Sequence, residues 1–224
     1  MKMIFRNPDE YQKEMNISED THLVYFISEK RKEDVLKMNI NVTDGASLRI
    51  TYIDFAPSDI DADFEVSLNE GTSAEISLAC LNSSCKKIYR FNVYHNGMKS
   101  YSRTKMGGIN SGNGVMKFLG SSFIKNGAHK CDTRQEGKIT NLSADCKSEV
   151  SPALLIKEND VKASHGAALG AYNPDHLFYL MSRGLTMEES KRLVTYGSLL
   201  PMIESCEDEK LIEEAKEALG ALTI

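Results

Sequence analysis

The sequence predicts a mainly β chain closed by a small C-terminal helical subdomain, and three observations carry that expectation. From about Leu23 to Ser164, apolar residues recur mostly at every second position: Leu48, Ile50 and Tyr52; Ala74, Ile76, Leu78 and Cys80; Tyr89, Phe91, Val93 and His95. Turn signals part these runs at short intervals, namely Asn69-Glu70-Gly71, Asn96-Gly97, Asn110 to Gly114 and Asn126-Gly127, where Asn and Gly tolerate positive φ. After Gly170 the apolar period changes abruptly to that of helices. The 224 residues suffice to bury a core. They divide into a short N-terminal helical segment (1–20), a β core (21–170) and a C-terminal helical subdomain (171–224).

Asn7-Pro8 reads as an N-cap followed by proline at the first helical position, which predicts a short helix over 8–16. Within the β core a weak repeat emerges when FIKNGAHKC (123–131), NLSADCKSE (141–149) and IKENDVKAS (156–164) are compared. Each runs from a strand end through a polar turn into a new strand. Stacked strand-turn units build a sandwich, a barrel or a solenoid, and periodicity does not choose among them. In the tail, Asn173-Pro174 opens a helix with Leu177, Leu180 and Met181 on one face and Gly184 at its end. Thr186 to Glu189 is a capping-box pattern that opens a second helix bearing Leu193, Val194 and Gly197. A third starts near Ser205 and carries Leu211, Ile212, Ala215, Ala218, Leu219 and Leu222.

The net charge of −5 is placed unevenly: residues 171–224 hold ten Asp/Glu against five Lys/Arg, while the first 170 residues balance. An acidic tail argues against nucleic acid, which needs a clustered basic face to displace counterions, and favours a basic or neutral protein partner. Neither a signal peptide nor a membrane span of roughly 20 apolar residues stands out, so no membrane partner and a cytoplasmic location are expected. The five cysteines, Cys80, Cys85, Cys131, Cys146 and Cys206, are odd in number and irregular in spacing, which suits free thiols. No GxxxxGK[ST] phosphate loop occurs.

Several ordered segments carry a family resemblance. Asn141-Leu142-Ser143 is followed by Ser151-Pro152 and the apolar Ala153 to Ile156, then by Asp160-Val161-Lys162-Ala163-Ser164-His165-Gly166-Ala167. Leu177-Phe178-Tyr179-Leu180 follows, with Arg183-Gly184 and the acidic Glu188-Glu189 behind it. Upstream, Val93 to Gly97, Gly120 to Ile124 and Gln135 extend the pattern. Over about residues 85–200 the chain resembles the SufB/SufD family, paired scaffold components of iron-sulfur cluster assembly.

That resemblance implies a right-handed parallel β-helix, or β-solenoid, followed by the helical domain. It further implies a non-enzymatic scaffold that dimerises through its β-helix, with itself or with a SufB-like partner. Its C-terminal helices would dock a SufC-type ABC ATPase through Leu177, Phe178, Tyr179, Arg183 and Gly184. An iron-sulfur cluster, transient and shared across a dimer interface, would be the cargo. His165 is then the metal-ligand candidate, with Cys146 and Cys131 on nearby rungs as further cluster candidates, because thiolate and imidazole donate to iron. SufB-like chains carry a cysteine after the strand matching Leu154 to Ile156, and acids beside the histidine; here Lys157-Glu158-Asn159, Ser164 and Gly166 stand instead, which is similar to SufD. A degenerate adaptor that binds no cluster is the first alternative. The second is a carbohydrate-active solenoid using Asp61, Asp63 and Glu65, although their alternation equally describes the solvent face of a strand. Cys80 and Cys85 are expected as core or turn residues, His95 and His129 as exposed, and Gly166 and Gly170 as giving backbone freedom between solenoid and helices.

Overall fold

The computed structural model describes residues 1–6, 10–30 and 35–220. Alternating apolar residues give strands with one inward and one outward face, and the turns between them send the chain from one sheet to the other and back. One parallel sheet holds β1 (Lys2–Phe5), β3 (Thr21–Ile27), β5 (Ser47–Asp54), β7 (Ser73–Ser83), β9 (Tyr101–Ser111), β11 (Cys131–Asn141) and β13 (Val161–Gly170) in that order. The second holds β2 (Glu14–Ile17), β4 (Val35–Val42), β6 (Ile60–Leu68), β8 (Lys86–His95), β10 (Val115–Ile124) and β12 (Lys147–Ile156). Successive strands alternate between the sheets and every pairing is parallel, so the chain is a β-solenoid.

Stacking places like over like. Tyr25 lies between Phe5 and Tyr52, with ring centroids 4.8 and 5.3 Å apart, and Phe64 stacks on Phe91 at 4.7 Å. The corners repeat amides: the Asn69 amide donates to Asn41 Oδ1 at 3.1 Å, and the Asn82 amide to Asn110 Oδ1 at 3.0 Å. At the turn after β8, a Cβ on Gly97 would sit 2.1 Å from the backbone nitrogen of Glu70 in the rung below, so only glycine lets the two turns nest.

Within the lumen sits one ion pair, Lys87 with Asp54, both side chains fully excluded from solvent. Lys87 Nζ donates to Asp54 Oδ1 at 3.0 Å and to the Leu81 carbonyl at 2.7 Å. Asp54 also accepts from the Tyr89 hydroxyl and the Ala56 amide. The charges are thus compensated by hydrogen bonds as well as by each other, which is what burial demands.

Of the helices α1 (Pro174–Ser182), α2 (Met187–Glu204) and α3 (Glu209–Gly220), α1 packs on α2, while α2 and α3 return along the outer face of the seven-stranded sheet. Leu199, Met202, Ile203, Leu211, Ala215 and Leu219 bury Val24, Phe26, Ile53, Ala79, Leu81 and Ile109. β3 is therefore buried on both faces. The capping box at Thr186 and the Asn173 cap form as the sequence predicts. α2, however, runs on through Pro201, so the third helix opens at Glu209 and Ser205 caps the second; Leu222 lies outside the described residues.

The expected N-terminal helix is corrected. Glu14–Ile17 is a strand, as is Lys2–Phe5, while Asn7 and Pro8 lie outside the described residues. Pairing with β3 and β4 satisfies the backbone, and Met3, Phe5, Met15 and Ile17 join the core from one face of each strand. Tertiary pairing overrides a weak local helix signal here.

Replacing Lys87 by Met strands a buried carboxylate and is expected to cost about 3–5 kcal/mol, read as a lowered urea midpoint at unchanged slope. Gly97→Ala is expected to destabilise as well, since the backbone it would strike has no rotamer with which to yield.

Candidate functional site at the open end of the solenoid

The two ends of the stack differ. At the first rung β1 and β2 have four residues each; at the last, β12 and β13 have ten each. Among the described residues β13 pairs only with β11, and β12 only with β10. Two long parallel edges thus present their outer N–H and C=O groups side by side, with Leu155, Ile156 and Leu169 about half exposed there.

His165 lies on this last rung. Register pairs it with Gln135 of β11, and Val161, Ala163 and Ala167 with Cys131, Thr133 and Gly137, all of them buried residues of the lumen face. Residues aligned in a parallel pair share a face, so His165 stands over the mouth of the lumen. It is exposed, and among the described residues no rung lies above it.

Cys131 and Cys146 are not brought to it. Cys131 opens β11, buried to 1% exposure under Val161, with its thiol 3.1 Å from both Ser100 Oγ and the Ala128 carbonyl. Cys146 lies past the far end of the same strand, 3.1 Å from Ser143 Oγ and 3.2 Å from the Asn110 carbonyl. The 11 residues of β11, at ~3.3 Å each, put the two corners roughly 30 Å apart. Among the described residues no group of three or more His, Cys, Asp or Glu is placed to hold a metal ion.

Below the mouth, the lumen changes character. Tyrosines, phenylalanines and aliphatics fill the early rungs; in the late ones Met106, Met116, Phe118 and Ile139 share the lumen with a run of hydroxyls and amides. Gln135 Nε2 donates to Ser122 Oγ at 2.6 Å, Ser122 meets Thr133 at 2.8 Å, Thr133 meets Ser102 at 2.8 Å, and Ser102 meets His95 Nε2 at 2.9 Å. His95 Nδ1 lies 2.8 Å from Ser100 Oγ. His95, expected at the surface, is fully buried and joins this network. Burial holds its pKa down to about 4, and His22, buried beside Thr51 and near Arg49, is held down to about 4 also. His129 is exposed as expected, 3.2 Å from Glu158, whose carboxylate accepts from Gly127 and Asn159.

The helical candidates divide by face. Leu177 is buried and anchors α1. Phe178 and Tyr179 are 74% and 56% exposed, and the Arg183 guanidinium lies 5.5 Å from the Tyr179 ring centre while donating to its hydroxyl. Gly184, at φ +97°, lets the chain leave α1 where a Cβ would be strained. Met187 and Leu193 add exposed apolar surface nearby in the chain. Gly166 and Gly170, in contrast, lie within β13 without positive φ, so they supply no hinge. On the six-stranded sheet, Asp61 binds Arg90 and Asp63 accepts from Asn92, which makes the alternating acids a cross-rung ladder.

A parallel β-solenoid with two open edges at one end and a helical return along one sheet is the class of protein this geometry defines. Residues 12–198 match the family described as SUF system FeS cluster assembly, SufBD core domain, and the chain belongs to that SufB/SufD family. It is similar to the iron-sulfur cluster assembly protein SufD of Bacillus subtilis, 42% identical over 112 residues, which are 47% of this chain and 25% of that protein. The Escherichia coli SufD is 29% identical over 91 residues, 39% of this chain and 22% of that protein. The chloroplastic protein ABCI7 of Arabidopsis thaliana is 27% identical over 109 residues, 49% of this chain and 23% of that protein. The match thus spans about a quarter of each relative's length. Among the described residues no helix is long and apolar enough to cross a membrane.

A histidine whose folded pKa lies below its unfolded value of ~6.5 binds protons preferentially when unfolded. Stability is therefore expected to be complete above pH ~6.5 and to fall as pH drops toward 4, by about 1.4 kcal/mol per pH unit per histidine. Urea unfolding between pH 7 and pH 4.5 measures it, and His95→Gln should remove about one proton from the slope.

Proposed function

We propose that this chain is a SufD-like, non-enzymatic scaffold subunit. It pairs end to end through β12 and β13, with itself or a SufB-like partner, and offers His165 to an iron-sulfur cluster assembled at the junction. The observation that carries this reading is the pair of open ten-residue edges flanking the lumen mouth on which His165 stands. A paired edge satisfies the outer backbone groups and covers Leu155, Ile156 and Leu169, while the mouth of a second solenoid brings in the ligands this chain lacks.

α1 supplies the other surface. Phe178 and Tyr179, with Arg183 laid against the tyrosine, form an aromatic and guanidinium patch of the kind that anchors interfaces. A SufC-type ABC ATPase is its partner in this reading, and nucleotide hydrolysis belongs to that partner, consistent with a sequence lacking a phosphate loop. A second reading, an adaptor that pairs and docks without touching a cluster, is favoured by the separation of Cys131 and Cys146 from His165.

Anaerobic reconstitution with iron and sulfide, alone and with SufB-like and SufC-like chains, separates the two. Loss of the visible cluster absorbance in His165→Ala is expected; an unchanged signal leaves the adaptor. Phe178→Ala is expected to weaken ATPase capture by about 2 kcal/mol or more, and full retention in pull-down would remove α1 from the interface.

A further inference from the structure

The polar network of the late rungs ends on an acceptor with no donor. Gln135 is 1% exposed, and its Oε1 is a buried side-chain oxygen without a hydrogen-bond partner among the described residues. Burying an unpaired amide oxygen costs about 1–3 kcal/mol, so such an atom calls for an explanation. Its orientation is fixed by the amide's other end: Nε2 donates to Ser122 Oγ at 2.6 Å and to the Ala153 carbonyl at 3.2 Å. Flipping the amide would set oxygen against that carbonyl, so Oε1 is the free end. The space around it is also specific. Gly120 faces it across the lumen, and a Cβ there would lie 2.7 Å from Oε1.

Directly above Gln135, in register on the next strand, stands His165. Adjacent strands are ~4.8 Å apart, so an imidazole turned over the mouth brings a ring N–H within reach of the rung below. An imidazole that ligates a metal through one nitrogen carries its proton on the other. That N–H nearly always finds a carbonyl or carboxylate, which fixes tautomer and ring plane. We infer that Gln135 is the positioning residue for His165: its Oε1 accepts the ring N–H and directs the opposite nitrogen out of the lumen toward the metal. This rests on the reading of His165 as a ligand. Within it, the orphan oxygen, the glycine that makes room for it and the in-register histidine have one common account. The buried network beneath is then a support that holds the Gln135 amide still.

The test uses the full chain with Co²⁺ alone as probe. The readouts are its absorbance titration and ¹⁵N–¹H correlation of the histidine rings, with and without metal. In Gln135→Leu, Co²⁺ affinity is expected to fall about 10–100-fold, and His165 to lose its single metal-bound tautomer. Gln135→Glu, which keeps an acceptor oxygen, is expected to retain both. In a His165→Ala background, Gln135→Leu is expected to cause no further loss. The inference is overturned if Gln135→Leu leaves affinity and tautomer unchanged, if Gln135→Glu behaves like Gln135→Leu, or if the loss persists without His165. If His165→Ala itself leaves Co²⁺ binding intact, the ligand reading fails. The Gln135-dependent ring tautomer of the metal-free chain then decides the positioning inference by itself. Urea midpoints of the variants identify any loss that comes from unfolding.

Discussion

Parallel pairing between rungs is the constraint on which this molecule depends. Each strand finds partners for its backbone in the strands of its own sheet one rung below and one rung above, so the stack satisfies itself everywhere except at its ends. What happens at those ends decides the rest. The first described rung has four-residue strands whose Met3, Phe5, Met15 and Ile17 join the core. The last rung is left ten residues wide and uncovered. A free edge of that width invites another strand, and the exposed histidine stands on it. The proposed pairing surface and the candidate cargo site are therefore one place, made by leaving the same rung unfinished.

The lumen follows the same logic. Far from the open end it is filled by stacked aromatics and aliphatics, with Lys87 and Asp54 compensating each other in full burial. Toward the open end, hydroxyls, an imidazole and an amide take up part of the lumen beside Met106, Phe118 and Ile139, each held by the next. A polar interior is less stabilising per residue than an apolar one, but it fixes directions that packing alone leaves loose. The orphan oxygen of Gln135 lies where the fixed network meets the mouth.

Much of this was legible in the sequence because it is local. Period-two alternation marked the strands, Asn and Gly the turns, and Asn173 and Thr186 the helix starts, each a matter of a few consecutive residues. What lateral pairing decides was not legible. Asn7-Pro8 suggested a helix where β2 follows, because four-residue strands carry too little alternation to outweigh a capping signal. His95 beside Asn96-Gly97 suggested exposure, since a turn was visible but its lid, the rung containing Ser100 and Ser102, was not. Cys131 and Cys146 read as lying on nearby rungs within reach of a shared site, yet they occupy opposite corners, a distance set by strand length. Gln135 stood in the family pattern, but only the register that places it under His165 gives it a chemical role.

The helical return has a consequence for how the stack comes apart. A linear array of rungs frays from its termini, each outer unit detaching at little cost to the remainder. Here Arg6 makes two hydrogen bonds to Glu214 of α3, at 2.7 and 3.0 Å, and Lys2 and Arg49 reach Asp208 and Glu207 just before it. The last helix thus holds the first strand, and α2 spans the rungs between. An open row of tiles has become a belt fastened to itself: loosening the first tile means undoing the buckle.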